Sequence, residues 1–220
     1  MRKIVKSRLQ PRKWTEYCCT PGVDYQANPE LREILLKEQG FICAYCMKGL
    51  DVEGKNTKIE HMKCRDLNDK EKLKYRNMVI CCSGVTKECR HCDTSKGNND
   101  ITFNLLTDPF FKTLSYTLSG TIKSRNATWD DEINRLLNLN NVYLKEERRV
   151  TLNAIIEVLG KKQIGIPTNK NSDEFEKNGM KKMQEDIINP IADWWYISLT
   201  KDLSAGIEIK IVLFLIYFIP

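Results

Sequence analysis

The chain has 220 residues and a mass of 25.6 kDa, enough to bury a hydrophobic core as one domain or two small ones. Hydrophobic residues make up 41% and charged residues 29%, a globular composition that excludes an intrinsically disordered chain. The formal net charge is +6, and Arg2, Lys3, Lys6, Arg8, Arg12 and Lys13 supply six positive charges with no acid among residues 1–13, so the rest of the chain is balanced.

Residues 1–28 therefore read as a basic N-terminal arm followed by a loop. A basic arm on a neutral body fits phosphate contact by an extension. Ile4 and Val5 cannot form the apolar core of a secretory signal among those charges. The expected compartment is the cytoplasm, where clustered thiols bind metal more often than they pair as disulfides. Residues 14–28 read as turns, with Pro21-Gly22 as punctuation. The stretch "NPELREILLKEQG" predicts a helix, capped by Asn28, with Pro29 at its first position and Gly40 at its end. Leu31, Ile34 and Leu35 share one face of it.

Next comes a cysteine-rich unit, which with the preceding helix makes an expected domain over 29–100. "FICAYC" leads into a knuckle, "TKIEHM" and "YRNMVICC" are strand-like, and "CDTSKGNND" opens a helix with Asp93, Thr94 or Ser95 as cap. Residues 101–160 read as mixed and then helical, with Ile133, Leu136, Leu137, Val150, Ile155, Ile156 and Leu159 at helical spacing and Gly160 as a stop. Residues 161–220 read as a polar linker and an amphipathic tail. Its closing "IVLFLIYFIP" falls short of the roughly 20 apolar residues that span a bilayer. No membrane association is expected, and the tail is either core or a docking segment for a partner protein.

Two Cys-x-x-C pairs, Cys43/Cys46 and Cys89/Cys92, stand 42 residues apart among nine cysteines. Thiolates two residues apart on a turn can both face one ion, and two such pairs make a tetrahedral sulfur site for structural zinc. Cys43, Cys46 and Cys92 are the expected ligands, and Cys82 and Cys89 compete for the fourth place. Cys18, Cys19 and Cys64 read as ordinary buried thiols. A thioredoxin-type redox motif is the rival reading, but no βαβ pattern surrounds either pair.

Inside the cysteine frame lies "KIEHMKCRD". Zinc at the frame would hold together a strand carrying Glu60-His61, a strand starting at Asn77 and a helix beginning near Asp93, a ββα unit. Phosphodiester hydrolysis needs a base for water, a hard divalent ion at the phosphate and a group that orients the base. A histidine, with an ordinary pKa of about 6.5, takes a proton from water at neutral pH, which is the role expected of His61. Glu60 and Asp93 are hard oxygen ligands suited to Mg²⁺ or Mn²⁺. The Asn77 amide can orient the His61 loop or ligate the metal, and Lys96 and Arg65 are the expected phosphate contacts. A Glu-His pair alone is most often a surface feature. The order Glu-His, Asn, Cys-Asp within a cysteine frame is what singles it out.

The motifs "CAYC", "IEH", "YRNMVICC" and "HCDTSKGN" resemble the ββα-metal (His-Me) fingers of the HNH endonuclease superfamily. Across residues 1–160, "MRKIVKS", "LREILLKEQGFICAYC", "ITFNLLTDP", "GTIKS" and "LNLNNVYLKEERR" are similar to the PtuB-like HNH subunit of Septu-type antiphage systems, related forms of which occur in some retron systems. The resemblance implies an α+β fold with a zinc-clipped HNH core embedded in a mostly helical chain. It also implies a nuclease acting on DNA or RNA, and a hetero-oligomer with an SMC-like ATPase. Met78 follows Asn77 where the family usually has Leu, and Asp93 stands where many members have His or Asn. His91 is a second candidate for that third motif position. The competing function is a non-catalytic zinc module that binds nucleic acid or serves assembly; such a module has no need of a base at His61.

Overall fold

The structure, a computed structural model, describes residues 1–161 except Val52, Lys87 and Asp108, with side chains up to Ala154. The linker and tail expected from 162 on, and the side chains of Ile155, Ile156 and Leu159, lie outside the described residues. The described residues divide into two compact units, one of Met1–Leu114 with Ser124–Asn141, the other of Ser115–Lys123 with the described residues from Val142 on. Helices and small antiparallel sheets occupy separate stretches, an α+β arrangement.

The first unit begins with a difference from expectation. The basic arm is not a free extension. Met1, Ile4 and Lys6 are buried, Ile4 N–H donates to Leu105 O (2.9 Å), and Arg2 Nη2 donates to Gln39 O (2.6 Å). Lys6 Nζ faces Glu38 at 3.3 Å, and burial lowers its pKa to about 8. The arm docks because apolar Met1 and Ile4 are interleaved with its charges and outweigh the desolvation of one lysine.

Residues expected as loop form helix α1 (Arg12–Cys18). No side chain caps it. It is held instead by Trp14, 2% exposed, whose Nε1–H donates to Leu73 O (3.1 Å). Helix α2 (Pro29–Gln39) follows the sequence reading closely. Asn28 accepts from the Glu30 and Leu31 N–H groups, and Gly40 ends the helix in the left-handed region at φ 64°. Its buried face is Leu31, Leu35, Leu36 and Gln39, with Ile34 half-buried.

Strands β1 (Thr57–His61) and β2 (Met78–Cys82) pair antiparallel, with His61 opposite Met78 and Thr57 opposite Cys82. All of β2 is buried, so its outer edge needs partners for its backbone. Gln39 of α2 supplies them: Nε2 donates to Ile80 O (2.8 Å) and Oε1 accepts from Ile80 N–H (2.6 Å). Helix α3 (Asp93–Lys96) completes the ββα unit.

The long helix expected after residue 126 is broken. Helix α4 (Ala127–Asp131), capped by Asn126, passes into a wide helical turn over Glu132–Leu136. The chain then turns through "NLNN", with Asn138 at φ 49°. Asparagine tolerates that region and favours turns, so the apolar period resumes only in α5 (Val142–Lys161). Strands β3 (Leu114–Tyr116) and β4 (Ile122–Ser124) form a hairpin, and within the second unit the Gly120 carbonyl at its turn accepts from Arg148 Nε of α5 (2.6 Å). Among the described residues no helix is long and apolar enough to cross a membrane.

Candidate metal centre and adjoining cleft

The sulfurs of Cys43, Cys46, Cys82 and Cys92 all lie within 4.8 Å of one another. Three of the separations, Cys43–Cys92, Cys46–Cys82 and Cys82–Cys92, are 3.8 Å. A regular tetrahedron with Zn–S bonds of about 2.3 Å has edges of about 3.8 Å, so these three separations match the edges that one zinc ion requires, and the others stay within 4.8 Å. Three segments bring them there. Cys43 and Cys46 sit on a turn closed by Cys43 N–H to Lys48 O (2.9 Å), with Met47 at φ 67°. Cys82 ends β2, and Cys92, at φ 54°, immediately precedes α3. Hydrogen bonds from Cys43, Cys46 and Cys92 hold the Cys82 thiol far below its ordinary range, while burial pushes Cys92 up. A closed, soft, thiolate-bearing set of this kind could hold a metal such as zinc in a structural role.

Cys82, not Cys89, completes this set. Cys89 Sγ lies 3.0 Å from Thr86 Oγ1, inside a reversal closed by the Val85–Arg90 bridge, so the second Cys-x-x-Cys does not fold as a knuckle. His91 also belongs to this region. Its Nδ1 is 3.1 Å from Cys92 Sγ, and it does not line the cleft described next. Of the thiols expected to be plainly buried, Cys64 is, Cys18 is partly so, and Cys19 is exposed.

A cleft of about 380 Å³ opens beside β1 and α3, lined by Tyr25, Glu60, His61, Arg65, Asp93 and Lys96 among others. Glu60 is 4% exposed. Its Oε1 accepts from Tyr45 O–H (2.9 Å) and lies 2.8 Å from Lys96 Nζ. Burial, and then a hydrogen bond with the Asp93 carboxyl, push its pKa up to about 8. Asp93, in the first turn of α3, also faces Lys58 Nζ (3.4 Å). The two carboxyls are thus neighbours.

Lys96 departs from its expected role. Its side chain is 1% exposed; Nζ serves Glu60 and also donates to His61 O (3.1 Å). Buried against those two partners, it sits in the floor of the cleft instead of reaching out to a phosphate. Arg65 remains exposed at the cleft, with its guanidinium 4.7 Å over the Tyr25 ring.

His61 is 4% exposed, and its Nε2 lies 3.0 Å from Lys72 O. A carbonyl only accepts, so Nε2 carries the proton and Nδ1 is the basic nitrogen. Burial lowers the imidazole pKa to about 4, so the ring is neutral throughout the neutral pH range instead of titrating near 6.5. Asn77 resolves the choice left open for it. Its Oδ1 accepts from Lys63 N–H (2.8 Å), and its Nδ2 donates to Lys63 O (2.9 Å) and Glu71 O (3.1 Å). The amide clamps the loop after His61, and Asn77 does not line the cleft. Sequence reasoning missed Tyr45 and Tyr25. The first lies within "CAYC" between two cysteines, and the second in a stretch read as turns; neither position advertises a contact to Glu60 or His61.

Neither a family model nor a curated protein matches the chain.

Proposed function

We propose that this chain is a metal-dependent endonuclease of the HNH type, hydrolysing phosphodiester bonds in DNA or RNA. One observation carries the reading: a neutral imidazole, proton-bearing at Nε2 and basic at Nδ1, lines the same cleft as a neighbouring pair of carboxyls. On this reading His61 takes a proton from water at Nδ1. The Lys72 carbonyl fixes its tautomer, and Asn77 holds the loop that supplies that carbonyl. Glu60 and Asp93 are adjacent hard oxygen donors, and Glu60 retains a proton because burial and Asp93 together outweigh the Lys96 ammonium beside it. They fit Mg²⁺ or Mn²⁺, which would supply charge stabilisation at the phosphate. Arg65 contacts phosphate, and Lys96 fixes Glu60. The four cysteines hold zinc, which fastens β1, β2 and α3 without entering the chemistry. The motif resemblance supports the further reading of an effector in an antiphage complex with an SMC-like ATPase, in the cytoplasm.

The alternative, a non-catalytic zinc module, is favoured by the burial of His61 and by the neutralisation of Glu60 by Lys96. The two readings separate on one substitution. Purified chain, alone and with the ATPase, is assayed on plasmid and on total RNA with Mg²⁺ or Mn²⁺. His61→Ala is expected to lower cleavage by about 10² to 10⁴-fold, with zinc content and melting temperature near wild type. Cleavage by His61→Ala at the wild-type rate sinks the nuclease reading.

A further inference from the structure

Residues 14–25 take no part in the chemistry above, yet their aromatic side chains lead directly to His61. Trp14 stacks on Tyr17 (centroids 5.1 Å, 22°) and meets Tyr25 edge-on (6.4 Å, 64°). Tyr17 O–H donates to Asp24 O (2.6 Å), which ties the loop after α1 back onto the helix. Asp24 pairs with Lys72 Nζ (2.9 Å), and the carbonyl of Lys72 is the one that receives His61 Nε2–H. Beside it, the Tyr25 ring stands perpendicular to the imidazole of His61, centroids 4.5 Å apart at 89°. The same ring carries the Arg65 guanidinium at 4.7 Å.

We propose that Tyr25 is a positioning residue: its ring holds the His61 imidazole and the Arg65 guanidinium in one arrangement at the cleft. The proposal rests on the nuclease reading. The Lys72 carbonyl holds His61 at a single point, and one hydrogen bond alone does not fix rotation of the ring about itself. A perpendicular aromatic ring at 4.5 Å removes that freedom. Arg65 is exposed and long, so it has many rotamers to lose on meeting a phosphate; resting on an aromatic face reduces that loss. Neither contact uses the tyrosine hydroxyl. The ring alone carries the function, which separates this role from a hydrogen-bonding or acid-base one.

The test uses the full chain and whichever nucleic acid the wild type cuts. Tyr25→Phe is expected to keep kcat and KM within about two-fold, because the ring is retained. Tyr25→Leu, which removes the ring but keeps apolar bulk, is expected to lower kcat by about ten- to a hundred-fold through His61. It should also raise KM about two- to five-fold through Arg65. In the double variant with Arg65→Ala, the KM effects should not add, because both remove one interaction. Zinc content and melting temperature are measured for each protein, and Tyr25→Met replaces Tyr25→Leu if the latter is unfolded. A wild-type kcat in a folded, ring-less variant overturns the proposal alone, as does an activity loss in Tyr25→Phe or full additivity in KM with Arg65→Ala. A wild type that cuts neither DNA nor RNA, indistinguishable from His61→Ala, overturns the nuclease reading and this proposal together.

Discussion

A carboxyl buried beside a second carboxyl keeps its proton into the neutral range, and Glu60 is in that position. Its pKa is raised from 4.5 to about 8, so between those values the fold binds more protons than the unfolded chain. The stabilisation is complete below 4.5 and is lost as pH rises through 8. His61 runs the other way: lowered from 6.5 to about 4, it contributes stability above 6.5 that is lost as pH falls through 4. The two windows overlap below 6.5, which leaves the range from about 6.5 to 8 to Glu60. With zinc bound and no Mg²⁺, melting temperature should fall across that range, and Mg²⁺ should restore most of the loss at its upper end. Glu60→Gln should flatten both responses. A wild type whose melting temperature is level from pH 6.5 to 8, with or without Mg²⁺, means the carboxyl pair is not a cation site. Lys96 gives a second residue-level expectation. Because its ammonium is buried between Glu60 and the His61 carbonyl, Lys96→Met should cost stability, about 1–3 kcal/mol. Nucleic-acid affinity should change little, the reverse of what a surface phosphate contact predicts.

At the scale of elements, what could be read in the sequence follows from whether local chemistry or distant packing decides. Helix α2 carries its own start and stop, Asn28 and Gly40, and both act as read. Asn28→Ala should therefore destabilise by about 1 kcal/mol, measurable in urea, and an unchanged midpoint would show that packing against β2 alone sustains the helix. Strands β1 and β2 were visible because each short run carries β-branched residues, Thr57 and Ile59 in the first and Val79 and Ile80 in the second. Helix α1 was not, since it has no capping side chain and depends on Trp14 reaching Leu73 O, 59 residues away. The apolar period at 133–159 spans a real interruption at Asn138, because periodicity cannot see a left-handed residue. The cleft was legible in part. Glu60, His61 and Asp93 line it together, whereas Asn77 does not and instead clamps the loop at Lys63. Residue type alone could not say where Lys96 points, because the four-residue helix α3 turns its side chain inward.

For the molecule as a whole, the cysteine group fastens the first unit. Its sulfur contacts join residues 49, 36 and 10 positions apart, so an ion there closes long loops that an unfolded chain leaves open. Structural zinc binds such sites with about 10–16 kcal/mol of apparent free energy, while a domain of this size has a net stability of about 5–15 kcal/mol. Removing the ion should then remove most or all of the stability of the unit, not a small part. Freshly purified protein should contain about one zinc per chain, and a strong chelator should abolish the cooperative thermal transition. Two serine substitutions locate the site within the sequence. Cys82→Ser deletes a sulfur with two neighbours, Cys46 and Cys92, at tetrahedral spacing and should lose zinc and cooperative unfolding together. Cys89→Ser alters a thiol that meets the Thr86 hydroxyl in its own turn, outside the four-sulfur group, and should keep both. Since the spacing of the second Cys-x-x-Cys favours Cys89 equally well, this pair tests the folded arrangement against the sequence motif. Zinc retained in Cys82→Ser and lost in Cys89→Ser would reverse the assignment, and zinc absent from folded wild type would remove the metal centre altogether.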